Sequence, residues 1–269
     1  MPLLTDSVTA GNILADCVVS NIRNHGRSGS FRSTIITALS HPATAAALHR
    51  QAFTIPDALR EYLPDPPPHG SPIYTTEGRN TLAQEVVLLN LTTATDAVNA
   101  ASFIFVHSML DDAATQCCRV ASLMDPESFR QDLEKKQIEL DKFDGTNFEA
   151  MFDEMLKKFV LSIGKREGLV DRIERVRRSG RPASGMMNII EAPYRFDDAR
   201  LRELDRIRHA VVHGASNVPA SRNVDDDLLY MHQTATYLTN SLIIRFFQNP
   251  EFYSLLFQKL HSTVTNVSE

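Results

Sequence analysis

Apolar residues recur along most of this chain at three- and four-residue spacing, the period of one face of an α-helix. Val8, Ile13, Leu14, Cys17, Val18 and Ile22 predict a first helix over 8–24, capped by Asp6 or Thr5 and ended by Gly26. A second is expected over 31–50, broken or restarted at His41-Pro42, and a short third over 57–62. Between Pro64 and Pro72 there are five prolines and a glycine in nine residues. No helix interior tolerates that density, so a domain boundary is placed here, with a helical N-terminal extension over 1–75 and the main body over 76–269.

From Thr81 to Met124 there is neither proline nor glycine. Ala94, Val98, Ala101, Phe105, Met109 and Ala113 predict the buried face of one long helix, or of two placed end to end. The charged stretch 128–143 is expected at the surface, and 148–163 repeats the helical pattern. The span 179–193 reads as a loop. A short helix beginning near Asp197 follows, with Asp197-Asp198 suited to its N-terminus. A long helix over 224–248 has Leu228, Met231, Ala235, Leu238, Leu242 and Phe246 on its inner side, and a last short helix covers 252–260. No stretch alternates as a strand does, so the fold class is all-α, a helical bundle.

Composition changes this picture little. With 43% hydrophobic and 23% charged residues the chain is that of an ordinary globular protein. Its start lacks the basic region and cleavage site of a signal peptide, and its longest apolar passage is too short for a bilayer. Cys17, Cys117 and Cys118 form no C-x-x-C pair, which suits a reducing cytoplasm and argues against structural zinc. A net charge of -5 speaks against coating nucleic acid by bulk attraction. It leaves room for a local basic patch, and 165–181 holds seven basic residues, Arg175, Arg177 and Arg178 among them.

Candidate chemistry concentrates in Leu201 to Gly214, LRELDRIRHAVVHG. On a helical wheel Leu201, Leu204, Ile207, Val211 and Val212 share one arc, and Arg202, Arg206, His209 and His213 the opposite one. Arg208 falls inside the apolar arc, where a guanidinium needs a carboxylate, a phosphate or a subunit interface to receive it. Asp111 or Asp112 is a candidate carboxylate. A histidine can move a proton near neutrality, and an arginine can neutralise charge building on phosphorus. Together they suffice to cleave RNA without a metal, by attack of the ribose 2′-hydroxyl on the adjacent phosphate. The plainer alternative is an arginine bridging helices and a histidine satisfied by its own helix end. A metal pair of His209 and His213 would need a third ligand from His107, Asp111 or Asp112.

Arg208-His209-Ala-Val-Val-His213 resembles the R-x-x-x-x-H motif of HEPN domains, including the polar residue directly after the arginine. The resemblance extends over roughly 81–260. It implies a HEPN-like bundle acting as a metal-independent endoribonuclease in toxin–antitoxin or anti-phage defence, with no cofactor. Arg208 and His213 would then be catalytic, with His209 orienting them or the RNA. The resemblance also implies a homodimer whose two motifs line one cleft, and an antitoxin partner such as a nucleotidyltransferase. Arg175, Arg177, Arg178 and Arg206 would hold the RNA backbone. The same fold could instead serve as a non-catalytic module binding nucleotide, RNA or protein.

Overall fold

A computed structural model describes residues 4–59, 75–125, 158, 168–179, 195–214, 217–219, 221–247 and 250–265. Seven helices occur among them, and no strand: α1 (Leu4–Ser40), α2 (Pro42–Leu59), α3 (Thr76–Met124), α4 (Leu169–Ser179), α5 (Asp198–Val212), α6 (Val224–Phe246) and α7 (Pro250–Thr265). The all-α expectation is met. The proline-rich boundary, the charged stretch 128–143, the helical pattern of 148–163 apart from Lys158, and nearly all of the loop 179–193 lie outside the described residues.

The chain divides into two compact units. One comprises Met1–Gly26, Phe105–His209 and Asn223–Glu269, the other Arg27–Ile104 and Ala210–Arg222. The divisions fall inside α1, α3 and α5 rather than at loops.

Helix α1 does not stop at Gly26. It continues for 37 residues, through Gly26 and Gly29, to Ser40. A glycine in a helix interior costs only about 1 kcal/mol, and no proline interrupts the chain before Pro42. The break at His41-Pro42 is as expected: His41 Nδ1 accepts the Ala43 N–H at 3.2 Å, and Pro42, which needs no donor, opens α2. Of the short helix expected over 57–62, residues 57–59 belong to α2, which runs to Leu59, and 60–62 lie outside the described residues.

Helix α3 is a single helix of 49 residues. Thr75 caps it, its hydroxyl accepting the Gly78 N–H at 3.0 Å. Its buried face matches the sequence pattern only in part. Ala113 is buried as expected, but Ala101 and Phe105 are exposed, and Val106, Leu110, Cys117 and Val120 join Ala113 in the interior of the first unit. These five recur at three- and four-residue spacing, with Val106 and Leu110 each one position beyond the expected Phe105 and Met109. A long helix meets different neighbours along its length, so no single stripe runs through it.

The rest of the first unit follows the sequence closely. Leu201, Leu204 and Ile207 of α5 are buried, as are Leu228, Met231, Ala235, Leu238 and Leu242 of α6, which packs against α4. Asp197 caps α5 through the Arg200 N–H at 2.9 Å, and Asn223 caps α6 through the Asp226 N–H at 3.2 Å. The two helix starts are locked together. Arg200 pairs with Asp226 at 2.6 Å and Asp227 at 2.9 Å while lying over the Tyr230 ring. The Tyr230 hydroxyl accepts the Asp197 N–H at 2.8 Å. Helix α7 extends beyond the predicted 252–260 at both ends.

One titratable pair in this unit gives a pH prediction. His25 and His232 meet edge to face at 4.4 Å, and burial together with the neighbouring imidazole pulls His232 down to about 4. Its folded value lies below its unfolded one, so on acidification the unfolded chain takes the proton first. Stability is therefore expected to fall between pH 6.5 and about 4, and to level off below that. His232 is partly open to solvent, so its share is on the order of 1–2 kcal/mol. Urea unfolding at pH 7 and at pH 4.5 checks this: His232→Gln should lose less stability than the wild type over that interval. An equal loss would remove His232 from the account.

Candidate functional site

Helix α5 places the motif residues. It is helical to Val212, and His213 and Gly214 form the turn that ends it, with the Gly214 N–H donated to the Val211 carbonyl at 3.2 Å. Gly214 has φ 67, the left-handed conformation with which helices commonly terminate. Arg208 and His209 belong to the first unit and His213 to the second. Five positions along a helix separate side chains by about 140°, so α5 by itself does not stack Arg208 on His213.

His209 and His213 are exposed, on the solvent side of the wheel. Arg206 shares that side. Its side chain is 76% exposed and forks onto Glu203 through two contacts of 2.8 and 2.9 Å. Arg208 is half-buried. Its Nε is shielded from solvent and has no hydrogen-bond partner among the described residues. The cation that the wheel marks as out of place is thus out of place in the structure as well.

Asp111 does not receive Arg208. It is taken by Arg172 of α4, Nη2 to Oδ1 at 2.6 Å. Arg172 also donates to the Asp111 carbonyl at 3.2 Å and to the Thr115 hydroxyl, and it is 3% exposed. Asp112 accepts from Gln116 at 3.3 Å. Among the described residues no three His, Cys, Asp or Glu side chains gather as a metal site.

What lies beside Arg208 is His107, which the sequence offers as a metal ligand. His107 of α3, 2% exposed, has its Nε2 3.2 Å from Asp205 Oδ1, and Asp205 is three residues before Arg208. The distance is that of a hydrogen bond, but the direction of the N–H is poor, and the contact is best described as electrostatic. Burial lowers the His107 pKa most strongly; Asp205 and Asp111 oppose that and Arg208 reinforces it. His107 is therefore a neutral imidazole at neutral pH. A chain of groups results, Arg172, Asp111, His107, Asp205 and Arg208, which joins α4, α3 and α5 within the first unit.

Two spacings in the sequence bear on this cluster. His107 and Asp111 are four apart on α3, the spacing of a local helix pair, and Asp205 and Arg208 are three apart on α5. Arg172 sits on the apolar side of α4 with Val176 and Ile173, the same anomaly as Arg208, hidden because it was counted into a basic run.

The basic run itself is heterogeneous. Arg177 is held by Glu174 at 2.6 Å and lies 3.8 Å over the Phe196 ring. Arg175 is half-buried and Arg178 exposed, on the outer side of α4 with Asp171. No helix among the described residues is long and apolar enough to cross a membrane. Comparison of the chain with protein-family models, with curated proteins and with solved structures gave no match.

Proposed function

We propose that this protein is a HEPN-type endoribonuclease that cleaves RNA without a metal. In this reading His213 removes the proton from a ribose 2′-hydroxyl, whose oxygen attacks the adjacent phosphorus and expels the 5′-oxygen of the next nucleotide, which takes a proton from water as it leaves. Arg208 stabilises the anionic phosphate that forms, and His209 orients the arginine or the RNA. The products are a 2′,3′-cyclic phosphate and a 5′-hydroxyl. The observation that carries the reading is the placing of the Arg208 to His213 spacing at the end of a short helix that stops at once and is followed by a long one. The buried, unpartnered Nε of Arg208 supports it, because such a group is ready to receive a phosphate oxygen.

The divergence of about 140° along α5 favours a site completed by a second copy of the chain, and hence a homodimer. A ribonuclease of this kind belongs in toxin–antitoxin or anti-phage defence, restrained by an antitoxin partner. Cleavage of single-stranded RNA by the intact chain, undiminished by EDTA, is the expected result. Loss of cleavage in the chelator would point instead to a metal-dependent hydrolase, and no cleavage under any condition to the non-catalytic module.

RNA binding gives a second test. Arg175 and Arg178 lie on the outer side of α4, and Arg177 lies against Glu174 and Phe196. Replacing Arg175 and Arg178 together by glutamine is expected to weaken binding and to lower the slope of log K against log salt by about 1.4, two phosphate contacts on a single strand. Arg177→Gln should change that slope less. A double variant that binds with wild-type salt dependence would remove α4 from the RNA interface.

A further inference from the structure

Asp205 is the nearest carboxylate in sequence to Arg208, three residues away on α5, where opposite charges readily pair. An arginine paired with its own aspartate is neutralised and stabilises a phosphate poorly. Yet the close contact that Asp205 makes is with His107, Oδ1 to Nε2 at 3.2 Å, while Arg208 Nε stays without a partner among the described residues. From this contact we infer that His107 is a positioning residue: it holds Asp205 away from Arg208 and so keeps the guanidinium available to RNA phosphate. The inference rests on the ribonuclease reading for its consequence and on geometry alone for the contact.

Three observations support it. His107 is almost fully buried on α3, so its position is fixed by packing rather than by solvent. Asp205 is a third exposed and can turn. The other carboxylate facing His107, Asp111, is occupied by Arg172. The imidazole is thus left to Asp205, and the groups facing it are Asp205, Asp111 and Arg208. His107 touches no reacting atom in this account; it acts through Asp205.

The test is a suppression experiment. His107→Leu should release Asp205 onto Arg208 and lower the single-turnover rate of RNA cleavage about tenfold. Asp205→Asn alone should cleave within about threefold of wild type, and the double variant His107→Leu/Asp205→Asn should recover to the same level. A merely structural role for His107 gives a double variant as slow as the single one, and that result would overturn the inference. His107→Gln, which keeps a polar N–H group facing Asp205, covers the chance that leucine does not fold; it should cleave like wild type, and a tenfold loss would count against the inference.

A second readout needs no activity. The Arg208 Nε–H resonance in 1H–15N spectra should move downfield in His107→Leu as Asp205 pairs with it, and return in the double variant. An unmoved resonance overturns the inference even if RNA is cleaved. A resonance that moves as stated in a protein that cleaves nothing leaves the His107 to Asp205 assignment standing and removes the ribonuclease reading.

Discussion

Replacing Arg208 by alanine is expected to slow cleavage of RNA about a thousandfold, and replacing His213 by alanine about as much. The first figure is the loss that follows removal of one preorganised group stabilising a transition-state oxyanion, and the second that of a positioned proton acceptor. His213 is exposed and Arg208 half-buried without a hydrogen bond at Nε, so neither change should cost the fold much. Loss of activity with an unchanged unfolding curve would therefore report chemistry. Arg208→Lys keeps the charge but not the planar fork, and should retain more activity than the alanine variant and less than wild type. Because both groups serve one step, Arg208→Ala/His213→Ala should be little worse than the poorer single variant. Rates measured in single turnover with EDTA present check all four. Multiplying losses would mean that the two residues act in separate steps.

The second large effect is on stability, and its interest is that it is lopsided. Arg172 and Asp111 form one ion pair, but the arginine side chain is 4% exposed and the carboxylate 46%. Asp111→Ala leaves a buried guanidinium with only the Asp111 carbonyl, the Thr115 hydroxyl and a long contact to the Gly168 carbonyl at 3.4 Å. Arg172→Met leaves a carboxylate that can turn to water, and puts an apolar side chain on the buried side of α4 with Ile173 and Val176. Removing one partner of a fully buried pair costs about 3–5 kcal/mol. With half of Asp111 in solvent the cost of Asp111→Ala should be about 2 kcal/mol, and that of Arg172→Met under about 1 kcal/mol. Denaturant unfolding of the two variants at pH 7 decides the order. The reverse order would show that Arg172 stabilises chiefly through its carbonyl and hydroxyl contacts and not through the ion pair.

Much of the fold was readable because its signals were local. Asp197 caps α5 where the sequence places an acidic helix start, and the inner face of α6 follows the sequence pattern residue by residue apart from half-buried Phe246. What was misread depends on neighbours distant in sequence. Gly26 reads as a stop, but in a helix of 37 residues its small local cost did not end the helix. The inner face of α3 is legible at Ala113 but falls one position early at Phe105 and Met109, because those residues fit the helical period as well as Val106 and Leu110 do and only the packed structure chooses between them.

The candidate site was half legible for the same reason. The spacing from Arg208 to His213, the helix end between them and Gly214, and the solvent side holding Arg206, His209 and His213 all follow from the sequence of one helix. The partner of Asp205 is 98 positions away on α3, and no pattern within α5 announces it. Arg172 shows the limit most clearly. Within the run 165–181 it is one basic residue among seven, and only its burial against Asp111 sets it apart from Arg178.

The ends left on cleaved RNA test the central claim most directly, because they record which oxygen attacked phosphorus. A defined single-stranded RNA digested by the wild-type chain in EDTA should yield fragments ending in 2′,3′-cyclic phosphate, with 5′-hydroxyl partners. Those 3′ ends would resist phosphatase until opened by acid, and Arg208→Ala should produce neither kind of end. Fragments carrying 3′-hydroxyl and 5′-phosphate ends would contradict attack by the 2′-hydroxyl, and so would cleavage by Arg208→Ala at the wild-type rate.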